Sequence, residues 1–209
     1  MCGASCDMKD VIEHYDLLVD EGNDPVHDSQ VLRDYMDKWD GQRFLDSLCL
    51  DGAQSVLEIG VGTGRLAARV APRCRRLCGI DISPKTVWRA SENLSLYSNV
   101  SLVGGDFMTF DFDERFDVIY SSLTFMHIQD TQSAIQKVAS LLRDDGRFVL
   151  SLDKSRDAYI DMGTRKIKIY PDRPDDIRRY MEQAGLTVID GFETEHAYVL
   201  VCDKKNREA

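Results

Sequence analysis

The sequence predicts an α/β fold, doubly wound around a mostly parallel sheet. Residues 55–66 read as a buried strand that breaks into a glycine-rich turn and then enters a helix. Downstream, short branched apolar runs alternate with segments of helical periodicity, the pattern of parallel strands joined by right-handed crossovers with helices on both faces. Acids stand at or near the ends of three of these strands: Glu58, Asp81 and Asp106. In such a sheet a ligand sits beyond the carboxyl ends of the strands, at the switch point of the strand order.

The chain opens with helical material. Residues 1–10 read as disordered or weakly helical, and Val11 to Val19 places apolar residues on one helical face. Gly22, Asn23 and Pro25 break it, and Asp28 or Ser29 caps a second helix running to about Cys49 with an interruption near Gly41. About fifty residues thus precede the glycine turn, with aromatic side chains but no strand for a separate core. Residues 1–50 are read as a helical cap or lid on the ligand face, residues 51–209 as the main unit; a fixed helical extension packed elsewhere is the alternative. Tyr15, Tyr35 and Trp39, with His14 and His27, are placed to close over a site.

Val56, Leu57 and Ile59 give the apolar run of a strand covered on both faces. Gly60, Gly62 and Gly64 remove Cβ atoms from the following turn, so the backbone can take positive φ and approach a ligand. A helix expected over Arg65 to Val70 would turn its free amides toward that ligand. The geometry points to a nucleotide-type ligand. A dinucleotide fingerprint would need a third glycine at position 65, where Arg65 stands.

The second strand, Arg76 to Asp81, ends in an acid 21 residues after Gly60, where a carboxylate can accept both hydrogen bonds of a ribose diol. Ser83-Pro84 opens a helix through Leu96. The third strand, Val100 to Asp106, delivers Asp106-Phe107, an acceptor for an exocyclic amine and an aromatic beside a base. A fourth strand covers Phe116 to Ser122, Asp130 or Thr131 caps a helix through Leu142, and a fifth strand runs from Arg147 to Leu152. Thr164 to Tyr170 alternates polar and apolar like an exposed strand, either a structural edge or a substrate-binding insertion. Asp175 to Ala184 reads as a helix stopped by Gly185, and Leu186–Phe192 and His196–Cys202 as strands.

Composition bounds the function. The 209 residues suit one domain, and the net charge of −10 argues against a nucleic-acid partner, whose backbone calls for a basic stripe. Arg73/Arg75/Arg76 and Arg165/Lys166/Lys168 are the only basic clusters and read as solvated faces. A small, neutral or cationic substrate is favoured. No apolar run reaches the length of a membrane span and the first residues do not resemble a secretory signal, so a cytoplasmic protein without a membrane partner is expected. The six cysteines, with Cys2/Cys6 and Cys74/Cys78 the close pairs, lack a nearby histidine to complete a zinc pattern, and no metal is expected.

Val56-Leu-Glu-Ile-Gly-Val-Gly-Thr-Gly64 resembles motif I of the class I S-adenosylmethionine (AdoMet) methyltransferases. Gly79-Ile-Asp-Ile-Ser-Pro84 is similar to the segment that follows it, Gly105-Asp-Phe107 to the adenine position, and Phe116–His127 to a fourth strand that often ends in His. Leu141–Phe148 is similar to the stretch before strand five, with Asp145 where the family often has glycine. The resemblance covers roughly residues 52–202 and implies a Rossmann-like, seven-stranded sheet with a C-terminal antiparallel hairpin. It implies AdoMet as cofactor, bound by Glu58, Gly60, Val61, Gly62 and Gly64, by Asp81 and Ile82, by Gly105, Asp106 and Phe107, and by Ser121 and Ser122. The implied activity is methyl transfer to a small molecule, with His127 the candidate base. An NAD-binding oxidoreductase, disfavoured by Arg65, and an AdoMet-binding protein without catalysis are the alternatives.

Overall fold

The computed structural model describes residues 6–205. Three helices come first: α1 (Cys6–Asp20), α2 (Gln30–Met36) and α3 (Gly41–Ser47). They are followed by β1 (Ser55–Ile59), α4 (Ala67–Val70), β2 (Arg76–Asp81), α5 (Pro84–Asn93), β3 (Val100–Gly104), β4 (Phe116–Ser122), α6 (Thr131–Leu141) and β5 (Leu142–Asp153). The chain ends with β6 (Tyr159–Asp161), β7 (Lys166–Lys168), α7 (Pro174–Gln183), β8 (Leu186–Glu193) and β9 (Ala197–Lys204). Residues 1–5, including Cys2, lie outside the described residues. Of the two expectations for residues 1–10, disordered or weakly helical, the described part is helical: α1 begins at Cys6.

Seven strands form one sheet in the order β3-β2-β1-β4-β5-β9-β8. β1 to β5 are parallel, while β9 runs antiparallel to both β5 and β8. The order runs outward from β1 in one direction and from β4 in the other, so the switch point lies between their carboxyl ends. Period-two alternation gives the sheet two apolar faces. Leu57, Ile119 and Phe148 face α6 and α7 residues such as Ile135, Val138, Ile177 and Met181. Val56, Tyr120 and Val149 face the other core, which takes Phe44, Leu45 and Leu48 from α3 and its end.

The interruption expected near Gly41 divides the second helix into α2 and α3, because Asp40 caps α3 with its own side chain on Gly41 N at 2.7 Å and Gly41 takes φ +73°. Other local expectations are corrected. The helix after the glycine turn starts at Ala67, two residues later than expected, because Gly64 holds φ +101°. Asp145 adopts φ +61°, which explains how this chain manages without a glycine there: Asp tolerates the left-handed region. Thr164–Tyr170 does not edge the main sheet; β7 pairs with β6 in a separate two-stranded hairpin. Among the described residues no helix is long and apolar enough to cross a membrane.

Candidate active site

A cavity of about 590 Å³ opens at the switch point. Its floor is the carboxyl edge of the sheet: the β1 turn, the end of β2, the Gly105–Met108 loop and the Ser122–Thr124 segment. Its roof is α1 and the loop after it, through Met8, Val11, Tyr15, Leu18 and Asn23. Lys168 and Tyr170 close one side, and Tyr170 N donates to Met126 O at 2.7 Å, tying the hairpin to the turn that carries His127.

The three glycines of the turn have three different reasons. A Cβ at Gly60 would sit 1.9 Å from Thr124 Oγ1, and one at Gly64 would press on Leu94 at 3.0 Å. At Gly62 (φ +57°) a Cβ would meet no atom within 4 Å, and this glycine lines the cavity. Only Gly62 therefore leaves open space beside a ligand site. The expected supply of free amides is also reduced. Gly60 N and Val61 N donate to Ile80 O, Gly64 N donates to Val61 O, and Gly62 N donates to Asp81 Oδ2 at 2.9 Å.

Asp81 lines the cavity from the end of β2 and accepts from Gly62 N and from Ser83 N at 3.0 Å. Burial raises its pKa against the pull of these backbone donors. Asp106 accepts from Met108 N at 2.9 Å, which fixes the loop that brings Gly105, Asp106 and Phe107 to the cavity. Phe107 belongs equally to the core, 6.3 Å from the Phe112 ring. Glu58, near the end of β1, is also buried. Burial pushes its pKa up to about 8, although the buried Tyr120 hydroxyl donates to it at 2.7 Å.

Arg65, which breaks the dinucleotide pattern, has its own task. It grips Asp40 with two nitrogens, at 3.0 and 2.5 Å, and Ser122 donates to the same Asp40 at 2.9 Å. Arg65 and Ser122 both line the cavity. The only sequence signal for Asp40 is an acid directly before a glycine within a helical stretch.

On the roof side, Tyr15 Oη lies 2.8 Å from His127 Nε2. Both line the cavity. Burial, with a smaller push from nearby His14, lowers the His127 pKa to about 4, so the ring is neutral at pH 7 and a weak base. Burial raises the Tyr15 pKa and keeps the phenol protonated. Two buried polar atoms of the wall, Thr63 Oγ1 and His127 Nδ1, have no hydrogen-bond partner among the described residues.

Four expected site residues lie elsewhere. Ser121 is fully buried and donates to Ile59 O inside the sheet at 2.8 Å; it is not part of the cavity wall. Trp39 donates to Asp153 Oδ2 at 2.8 Å and packs on His196 with ring centroids 4.6 Å apart, beside the β5–β9 pairing. Tyr35 packs edge-on against Trp39 and is half exposed. His27 and His14 are also engaged elsewhere, with Asn93 and with Arg165. The remaining residues expected to bind cofactor (Gly60, Val61, Ile82 and Gly105 among them) do line the cavity, Gly64 excepted.

Residues 56–146 match the family model described as a methyltransferase domain. Over nearly the whole chain the fold is similar to that of magnesium protoporphyrin IX methyltransferase (ChlM) from Synechocystis PCC 6803 with bound SAM. The TM-score is 0.75 at 19% identity, covering 98% of this chain and 100% of that one. It is also similar to the N-methyltransferase NodS of Bradyrhizobium japonicum WM9 in complex with S-adenosyl-L-homocysteine. There the TM-score is 0.72 at 19% identity, covering 96% and 100%. At these identities the likeness is one of fold. Sequence similarity reaches further with an uncharacterized methyltransferase of Anoxybacillus flavithermus, 30% identical over 188 residues, 87% of this chain and 85% of the relative. Likeness of that extent, together with the matched methyltransferase domain, makes this chain a member of the class I AdoMet-dependent methyltransferase family.

Proposed function

We propose that the cavity holds AdoMet along the carboxyl edge of the sheet and that the enzyme methylates a small molecule held beneath α1 and the β6–β7 hairpin. The observation that carries the reading is Gly62, a cavity-lining position whose missing Cβ leaves space that no protein atom uses. The wall fits the group in other respects. Thr63 Oγ1 is a buried polar atom awaiting a partner. Asp81 keeps acceptor capacity on both carboxylate oxygens for a ribose diol, since an ionised carboxylate has about four lone-pair sites and two are taken by backbone N–H groups. Asp106 and Phe107 offer an acceptor and an aromatic face to the adenine. Arg65 offers a cation to the carboxylate of the amino-acid end, and Glu58, neutral at pH 7, offers a carbonyl acceptor to its ammonium group.

When bound, AdoMet supplies a methyl group already activated by its sulfonium. The protein's residues then have to bind, orient and exclude water, and positioning can account for much of the acceleration. Met8, Val11 and Tyr15 of α1 cover the site, and Met126, His127 and Tyr170 bound the acceptor side. His127, neutral at pH 7, is the residue assigned to contact the acceptor. Residues 1–50 are assigned partly to a lid (α1) and partly to the core (α3), with α2 exposed between them.

Titration calorimetry with AdoMet, S-adenosylhomocysteine and NAD is expected to show binding of the first two only. Methyl transfer from labelled AdoMet into a metabolite extract then identifies the acceptor. Binding of NAD instead, or of neither adenosyl compound, would sink the reading.

A further inference from the structure

His127 ends the 3-10 turn Phe125–His127 and forms part of the cavity wall. Its Nε2 meets Tyr15 Oη at 2.8 Å, while its Nδ1 is buried without a partner among the described residues. The ring planes of Tyr15 and His127 stand at 89° with centroids 5.5 Å apart, and His14 packs edge-on against Tyr15 at 4.9 Å. The phenol is thus held between two imidazoles, its hydroxyl directed at one of them.

The proton count decides the tautomer. A phenol carries one O–H, and a neutral imidazole one N–H. If Tyr15 donates to Nε2, the ring proton sits on Nδ1, and that N–H is the one group of the pair left without a partner. If Nε2–H donates instead, the phenol O–H and the Nδ1 lone pair are both unpartnered. Buried polar groups without partners are costly, so the first arrangement is preferred.

We propose that Tyr15 is a positioning residue that holds His127 in its Nδ1–H form. That N–H is the hydrogen-bond donor of the acceptor subsite, and it selects acceptors that present an oxygen lone pair (a carbonyl, carboxylate or phosphate oxygen) next to the methylated atom. The inference rests on the methyl-transfer reading of this cavity. It changes the part His127 plays. The nitrogen that meets the acceptor already carries a proton, so His127 orients the acceptor and does not deprotonate it.

Long-range ¹⁵N–¹H correlation spectra of the histidine-labelled, ligand-free protein read the tautomer directly. The His127 signals are identified by their loss in His127→Asn. The expected result at pH 7 is a neutral Nδ1–H ring for His127, and a shift toward the Nε2–H form, which free imidazole side chains favour, in Tyr15→Phe. An Nε2–H ring in the wild type, or a tautomer indifferent to Tyr15→Phe, overturns the inference. Because no cofactor is needed, this result stands apart from AdoMet affinity, whose absence would overturn the methyl-transfer reading alone. At saturating AdoMet, Tyr15→Phe should slow labelled-methyl incorporation into a metabolite extract by about tenfold or more, the scale of one buried hydrogen bond. His127→Asn, whose amide can place an N–H near the Nδ1 position, should retain more activity than His127→Ala. Equal loss in the two variants counts against the donor role.

Discussion

The carboxyl edge of the sheet and helix α1 face each other across one cavity, yet they are held by different physics. The floor is continuous with two apolar cores. Val56, Leu57 and Ile59 of β1 are at most 1% exposed, and the turn's amides are bonded to Ile80 and Asp81. The roof buries little of itself; Val11 and Val19 are its buried aliphatic residues. It is fastened mainly by polar contacts: Asp16 accepts from the Ser83 hydroxyl at 2.6 Å and from Lys85 N, Asp20 pairs with Lys85, and Glu21 pairs with Arg165. Exposed ion pairs contribute about 0–1 kcal/mol each and weaken with salt. A floor built on cores is expected to keep its shape in the absence of ligand, and a roof fastened in this way is expected to open and admit one.

The largest expected effect breaks the floor without touching its fold. Gly62→Val should abolish measurable AdoMet binding, because its side chain enters ligand space, and should cost about 1–2 kcal/mol of stability from the left-handed backbone. Gly60→Val reverses the balance: its side chain meets Thr124, so the melting temperature should fall further. Calorimetry and thermal melts on the two variants separate the ligand-facing glycine from the packing one. Normal AdoMet binding by Gly62→Val removes the central observation.

Asp81→Ala comes next. Losing charge-assisted hydrogen bonds to a ribose should weaken AdoMet binding by about 1.5–3 kcal/mol. Calorimetry on the folded variant checks it, and an unchanged affinity would end the ribose assignment.

The floor's identity was largely legible in the sequence, and the roof's was not. β2 and β4 run over the expected residues because branched apolar runs bounded by glycine, acid or charge leave few alternatives. Asp81, Asp106 and Gly62 reach the cavity because topology carries every strand's carboxyl end to the same edge. The aromatic residues of the N-terminal helices share a local rhythm, and periodicity says which residues share a face, not what that face meets. Tyr15 met the cavity, Phe44 the core, and Tyr35 and Trp39 the surface around His196. The β6 partner of β7 is three residues long, too short for alternation to show.

A smaller effect is a pH signature of the floor. Glu58 has its pKa raised to about 8, so the folded protein binds a proton there that the unfolded chain releases near the ordinary carboxyl value of 4.5. The stabilising contribution of the neutral form is therefore complete below pH 4.5 and is lost as pH rises toward about 8. Glu58→Gln should flatten the decline of melting temperature between about pH 6.5 and 8, a window above the titration of His127. Parallel wild-type and variant profiles in that window would contradict the burial argument.

The smallest effect is the one that tests the roof. If α1 is a lid, its amides exchange through local opening, and that opening should respond to the polar fasteners rather than to the cores. Asp16 is the fastener to remove, because one carboxylate oxygen accepts from both the Ser83 hydroxyl and Lys85 N. Ser83 keeps its own bond with Thr86 N, so α5 retains its cap when Asp16 is gone. Asp16→Ala should change global stability by about 1.5 kcal/mol, the lower end for a hydrogen bond to a charged group, because the contact is part-buried and lies outside both cores. Exchange across residues 8–20 should nevertheless quicken, and quicken again in high salt as the Asp20–Lys85 and Glu21–Arg165 pairs are screened. S-adenosylhomocysteine should reverse both changes by filling the space beneath Val11, Tyr15 and Leu18. β1 should stay protected throughout, since its bonds to β2 and β4 lie between two apolar layers. Exchange in α1 that ignores salt, variant and ligand alike would mean that its buried side, Val11 and Val19, outweighs the ion pairs. The roof would then be scaffold, and entry to the cavity would fall to the β6–β7 hairpin.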